Sequence, residues 1–473
     1  MARVGKASKQ SIAKTTDKKA RHIDRPSREE LLLQGRQLRT QCPRSSHAHW
    51  KPAKNRIDPL VLMKRSEKGR IADLLAIRHG RMMKSPFTFY RGAALNMAAD
   101  LATTPAMGTY VQACGDAHLL NFGIYATPER RLVFYVNDLD ETLPAPWEWD
   151  VKRLATSFVL ACRSNGLSAE DGRNAVLTCV RTYREHMAKF SQMRALDVWY
   201  ASLDADKYIS GLKNVETRKR ITKRLAKARA RNVVEQDFPK LADVADDRAM
   251  IRDNPPLIYH WDGLRDMNTI QQAFARYRET LVPERRVLLD RFAIHDIALK
   301  VVGVGSVGTL CAVILLMANE DDPLFLQVKE ATASVLEGYA GKSAYPNHGE
   351  RVVRGTLLMQ AASDHFLGWT EGKGGRHFYI RQLRDMKTKI LVEVFDALDM
   401  MEYAEVCGFT LARAHARSAE PALITGYLGQ SDTFDKAIAS FSFAYADQSE
   451  SDHGVLMEAV RRGDLEVEVE PDR

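Results

Sequence analysis

No stretch of this 473-residue chain is apolar for the roughly 20 residues a membrane helix needs. The longest, Leu310 to Ala318, has nine. The opening residues, Met1-Ala2-Arg3-Val4-Gly5-Lys6, carry charge with no apolar run behind it, so no secretory signal is expected. Cysteine is scarce: Cys42, Cys114, Cys162, Cys179, Cys311 and Cys407 are scattered, and none forms a Cys-x-x-Cys pair. That spacing predicts no disulfide framework and no zinc site, but reduced, mostly buried thiols in a cytoplasmic protein. The phosphate-loop pattern G-x-x-x-x-G-K-[ST] is missing, which argues against a P-loop nucleoside triphosphatase.

The rest of the composition is that of a globular protein, 45% hydrophobic and 27% charged, long enough for one large core or two ordinary ones. The formal charge of +9 is unevenly spread. Residues 1–70 hold 19 Lys and Arg against 6 Asp and Glu, a balance of +13, so the remainder carries about −4 (9 − 13). Residues 1–25 lack apolar periodicity and are expected to be disordered. A second basic cluster, Arg218 to Arg231, loads one expected helix with cations nearly all round. Nucleic-acid contact is compatible with it, but a solvated face fits better. No membrane partner is expected.

The densest chemistry lies in Cys114-Gly115-Asp116-Ala117-His118-Leu119-Leu120-Asn121, between two strand-like runs, the second ending in Asn137-Asp138-Leu139-Asp140-Glu141. A carboxylate and an amide five residues apart, followed by a strand that delivers more carboxylates, meet the needs of phosphoryl transfer. One carboxylate orients the acceptor hydroxyl; an amide and a second carboxylate hold Mg2+ against the phosphates. Arg91, between an aromatic cluster and a Gly-Ala run, is a candidate phosphate ligand or an ordinary ion-pair partner.

This segment resembles the catalytic loop of the aminoglycoside phosphotransferase-like branch of the protein-kinase fold, with Gly115, Asp116, His118, Asn121 and Asp138 at the matching places. Cys114 stands where that family usually has His. The resemblance implies that Asp116 orients the acceptor, that His118 supports the loop, and that Asn121 and Asp138 hold the metal, with Asp140 as substitute. The Asp of Trp147-Glu148-Trp149-Asp150 would brace the loop from behind.

A second signal lies late in the chain. Gly303-Val304-Gly305-Ser306-Val307-Gly308 precedes the apolar run Cys311 to Leu316, a charged turn, and Leu324-Phe325-Leu326-Gln327-Val328-Lys329-Glu330. Followed by a helix, the glycines would suit a dinucleotide site with Glu330 on the ribose, and hence an NAD(P)-dependent oxidoreductase. Followed by a hairpin, they would cover phosphates that Lys329 reaches from its strand. The residues favour a hairpin, and an ammonium in an apolar strand needs a partner. Glu350, on an expected helix from Asn347 to Ala362, is the expected partner, with Glu337 the alternative. Gln382 and Leu383 end a later strand where adenine would sit. A helix ending Leu411-Ala412-Arg413-Ala414-His415-Ala416 resembles the one that precedes the catalytic loop in these kinases, so the parts stand in circularly permuted order.

The segments Arg91-Gly92-Ala93-Ala94, Cys114 to Gly123, Asn137 to Thr142, Trp147 to Ala155, Leu326 to Ala331 and Tyr445 to Gln448 also resemble a bacterial family catalogued as domain of unknown function 2252, over roughly residues 50 to 450.

The expectation is therefore an α+β, two-lobed, protein-kinase-like fold, circularly permuted, with a small antiparallel-sheet lobe and a large helical lobe. Residues 1–55 would form a basic tail with a short helix, and 56–290 the helical lobe with the catalytic loop. Residues 291–390 would form the nucleotide-binding β lobe, and 391–473 the helices completing the first lobe. The expected activity is ATP- and Mg2+-dependent phosphoryl transfer to an unidentified small-molecule or protein hydroxyl. The alternatives are a nucleotide-binding regulatory pseudokinase, a nucleotidyltransferase, or the oxidoreductase. Asp116 and His118 would be catalytic. Gly303, Gly305, Ser306, Gly308, Lys329, Glu350, Gln382 and Leu383 would bind the nucleotide. Asn121, Asp138 and Asp140 would bind the metal.

Overall fold

A computed structural model describes residues 25–470 apart from 230–237, 246–247, 321, 361 and 384–389. The first 24 residues, read above as a disordered tail, lie outside the described residues. The architecture is α+β, with a large helical part and small antiparallel sheets.

Four long helices build the main core: Trp147–Ser164, Ala169–Gln192, Ala397–Ala416 and Thr433–Arg461. In Ala169–Gln192 and Thr433–Arg461 the buried residues recur every three or four positions, one stripe facing the neighbours, whereas Trp147–Ser164 is buried on every side from Trp147 to Cys162. Trp147 stacks on Tyr183 and lies against Phe434, and all three are buried. Ser27 followed three residues later by Glu30 reads as a capping box, and the two form one on the Arg28–Leu38 helix, each satisfying a backbone N–H the helix leaves unpaired.

Strands β1 (Tyr110–Ala113), β2 (Phe122–Ala126), β3 (Leu132–Val136) and β4 (Leu143–Pro146) flank the acidic loops in two short ladders, β1 with β4 and β2 with β3. The later strands are β5 (Ala242–Ala245), β6 (Arg248–Ile251), β7 (Ile258–Tyr259), β8 (Ala293–Lys300), β9 (Cys311–Met317), β10 (Pro323–Glu330), β11 (Gly368–Glu371) and β12 (His377–Gln382). Six of them form one antiparallel sheet in the order β11-β12-β10-β9-β8-β7. Side chains alternate across it. Lys329, on β10 opposite Tyr379 of β12, faces the helical part, while Val328 faces the other way.

Three local readings of the sequence differ from the structure: an extended entry at Pro86, a helix from Lys68 to Met83, and helix throughout residues 191–290. Pro86 does not begin an extended segment. It sits in the first turn of a helix, Pro86–Gly92, where its missing N–H costs nothing, behind Ser85 as cap. The helix expected over 68–83 is shorter: a 3-10 turn at Ala72–Leu74, then Leu75–Met83. Residues 191–290 are not all helical, since β5, β6 and β7 interrupt them.

Candidate functional site

The glycine loop runs from one strand into another. Val301 to Leu310 connects β8 to its antiparallel neighbour β9, so the segment is a hairpin and no helix starts at Gly308. The helix N-terminus on which a dinucleotide site depends is therefore not at this place. Three arginines hold the loop by its carbonyls: Arg81 donates to Gly303 (2.5 Å), Arg78 to Val304 (3.1 Å) and Arg70 to Val307 (2.5 Å). Gly308 has φ +87°, and a Cβ there would lie 3.0 Å from that of Arg70, so glycine is required for both reasons.

The acidic loop is held from the opposite side. Gly115 has φ +81°, and a Cβ there would meet the Glu141 carbonyl oxygen at 2.4 Å. Buried Asp150 accepts from the backbone N–H of Cys114 (2.5 Å) and of Gly115 (3.0 Å). His415 Nε2 lies 3.1 Å from Asp150 Oδ2, and Tyr183 hydroxyl lies 2.9 Å from His415 Nδ1. With Tyr183 donating, Nε2 carries the proton to Asp150. This network fixes the direction in which Asp116 points.

Asp116 Oδ1 accepts from Arg153 Nε at 2.6 Å and Nη2 at 2.5 Å. Its Oδ2 is left toward the cleft, 3.8 Å from His118 Nε2. Burial pushes the His118 imidazole down to about 3 against the pull of Asp116, so the ring is neutral at pH 7. Asn121 Nδ2 donates to the Asp116 carbonyl (2.7 Å).

Lys329 is the other pole. Its Nζ lies 2.5 Å from Asp140 Oδ2 and 3.5 Å from Asp138 Oδ1. Burial alone would depress the ammonium, but Asp138 and Asp140 outweigh it and hold it well above its usual range. The two carboxylates diverge. Burial and the neighbouring charge of Asp140 raise Asp138. Asp140 is held far below the ordinary range: burial works against this, but Lys329 and the Tyr379 hydroxyl prevail. Tyr379 donates to Asp140 Oδ1 (2.5 Å), and Ser306 of the glycine loop lies 3.3 Å from Oδ2.

One cleft of about 120 Å³ is therefore lined by Asp116, His118, Asn121, Asp138 and Asp140 together with Arg91, Gly303, Gly305 and Ser306. It runs into a wider neighbouring recess of about 530 Å³, with Arg70, Glu141, Glu330 and Thr332 common to both. Arg91 is largely buried there and its Nε has no hydrogen-bond partner. Burial lowers its pKa, and Asp116 partly offsets that.

Three expected residues stand elsewhere. Glu350 does not pair with Lys329. It bonds Arg354, four residues on and one helical turn away on the exposed face of the His348–Met359 helix (3.2 Å). Glu337 is near His348 instead. The same helix contributes Arg351, which donates to the carbonyls of Asp140 (2.8 Å), Thr142 (2.6 Å) and Thr332 (2.9 Å). Gln382 and Leu383 do not offer free amides to a base, because their N–H groups go to Asp364 Oδ1 and the Phe325 carbonyl. Leu383 is buried in an apolar cluster with Phe325 and Val313.

Arg153, Tyr379 and Arg351 were missed. Arg153 had a readable signal, since it lies three residues after Asp150 and so on the same helix face. Tyr379 had none, because its place opposite Lys329 depends on strand register.

A family profile described as an uncharacterized protein conserved in bacteria, DUF2252, matches residues 70–459. The chain belongs to this family. The DUF2252 match spans every residue of the cleft named above. No curated protein and no solved structure matches the chain. Among the described residues, no three His, Cys, Asp or Glu side chains are grouped to hold a metal, and no helix is long and apolar enough to cross a membrane.

Proposed function

We propose that this DUF2252 chain is an ATP- and Mg2+-dependent phosphotransferase with a circularly permuted, protein-kinase-like arrangement. The observation that carries the reading is that Lys329 pairs with Asp138 and Asp140, the latter 189 residues away in sequence, and that both carboxylates line the same cleft as Asp116 and the glycine hairpin. Support for the permuted order comes from the Ala397–Ala416 helix. Its Tyr403 donates to the carbonyls of Leu119 and Phe122, 284 and 281 residues earlier, and its His415 meets Asp150.

Two carboxylates and an amide suit Mg2+, which commonly takes one or two carboxylates and completes its shell with phosphate oxygens and water. Asp138 fits: its Oδ1 is buried without a hydrogen-bond partner, and 36% of the side chain is open to the cleft. The ion would neutralise charge on the phosphates. Asn121, Asp138 and Asp140 would hold it. Lys329 would exchange part of its carboxylate contact for phosphate oxygens. Arg91, with an unused Nε, would meet anionic oxygens at the cleft wall. Asp116, with one oxygen fixed by Arg153, would align an acceptor hydroxyl with the other. Such a site works by positioning and charge stabilisation.

The test uses the full chain with Mg2+ and ATP labelled at the α or γ position, offered to cell extract. Transfer of γ label, lost in Asp116→Asn while nucleotide still binds, is the expected result. Transfer of α label would make the protein a nucleotidyltransferase, and binding with no transfer would make it a regulatory module. A thermal shift with NAD(P) and none with Mg-ATP would overturn the reading.

A further inference from the structure

The face of the sheet away from Lys329 contains a feature that the cleft does not use. The Met267–Thr280 helix lies across that face and leaves a cavity of about 320 Å³ beneath it. Its floor is Ala312, Ile314 and Val328, and its roof is Ile270, Ala273 and Phe274. It opens to solvent at one side, so it is a pocket that a ligand could enter and not a closed void. Its volume falls in the range of about 300–1,000 Å³ typical of small-molecule pockets. Val328 records the consequence: it sits mid-strand between buried Gln327 and Lys329, yet is only half-buried because it faces the cavity.

The polar groups at the rim are unequal. Lys373 and Arg376 stand at one edge, on the turn between β11 and β12. Lys373 is in no ion pair among the described residues. Arg376 is half-exposed and reaches Glu330 only at 3.5 Å. Among the described residues lining it the one acid is Asp266, which accepts from the Thr269 N–H (3.2 Å) and hydroxyl (2.7 Å) of its own helix and whose charge Lys373 also favours. An apolar chamber whose mouth carries two cations, Lys373 and Arg376, against one acid, Asp266, is complementary to a molecule with an apolar body and one negative end.

We propose that this cavity binds a small amphiphilic monoanion, an apolar chain or ring ending in a carboxylate. The body would lie between Val328 and Phe274, with the carboxylate at Lys373 and Arg376. This site is independent of the phosphotransfer reading, since it lies on the opposite face of the sheet.

The test is calorimetric titration of the full chain with decanoate and, in parallel, with decanol, which has the same tail and no charge. Saturable decanoate binding is expected, with decanol weaker by about tenfold or more, the loss of one good charge contact. Ala273→Trp, which fills the chamber, should abolish binding. Lys373→Glu, a surface change that leaves the core intact, should weaken decanoate by about tenfold and leave decanol unchanged. No saturable decanoate binding, equal binding of the two probes, or decanoate affinity unaffected by Lys373→Glu would each overturn the assignment.

Discussion

Replacing Lys329 with Met separates what the ammonium does for the fold from what it does for a ligand. Methionine keeps an unbranched stem of similar length and removes only the charge. Asp140 then loses a partner at 2.5 Å and Asp138 one at 3.5 Å. At an effective dielectric near 20, a pair at about 4 Å is worth about 4 kcal/mol, and breaking a buried pair typically costs about 3–5 kcal/mol. Lys329 is almost fully enclosed, but Asp140 and Asp138 expose 27% and 36% of their side chains to the cleft. Solvent screening there lowers the expected loss to about 2–4 kcal/mol. The measurement is the urea unfolding midpoint without nucleotide, at pH 7 and again at pH 4.5. In the wild type, Asp140 titrates below its unfolded value, so it takes up no extra protons in the native state over that range. Without the ammonium, burial lifts Asp140 above its unfolded value and raises Asp138, already high in the wild type, further. The native state then binds more protons than the unfolded one, and the variant gains stability as pH falls. The deficit should therefore shrink at pH 4.5. Adding Asp140→Asn to Lys329→Met should restore part of the loss at pH 7, a coupling of about 1–3 kcal/mol. A variant as stable as wild type at pH 7, or a deficit that widens on acidification, would show that these charges are not desolvated together.

Asp150→Asn should cost about 2–4 kcal/mol in the same assay. The amide turns a donor toward one of the three donors that Asp150 now satisfies, and the charge is lost from the other bonds. Tyr379→Phe should cost about 1–3 kcal/mol by removing the 2.5 Å bond to Asp140, while keeping the ring 5.5 Å from Lys329; an unchanged midpoint would mean that this bond contributes nothing to the fold. Glu148 is wholly buried beside Lys152, and burial raises it to about 7. Its charged form is therefore a burden whose cost grows as pH rises from about 4.5 to 7. Glu148→Gln keeps an oxygen for the Met107 N–H (2.7 Å) and should be more stable than wild type by about 1–2 kcal/mol at pH 8, with no difference near pH 4.5 in a pH series of unfolding midpoints.

Local chemistry was readable along the chain. The capping box at Ser27 and Glu30, the periodicity of the long helices, the glycines and the two acidic clusters all act through neighbours within a few residues, and they appear where the pattern placed them. The strand after Gly308 was also legible, because β-branched and apolar residues run unbroken from Cys311 to Met317. What tertiary structure alone decided was pairing. Lys329 had to find a carboxylate, but charge is indifferent to sequence distance. The winner was Asp140, almost two hundred positions away, rather than Glu350 on the His348–Met359 helix, because the turn of that helix points Glu350 at Arg354 and brings Arg351 inward. Register placed Tyr379 beside the same lysine and spent the amides of Gln382 and Leu383 within the structure itself. Composition and spacing told which groups needed partners; only the packing of helices against the sheet determined which partners they met.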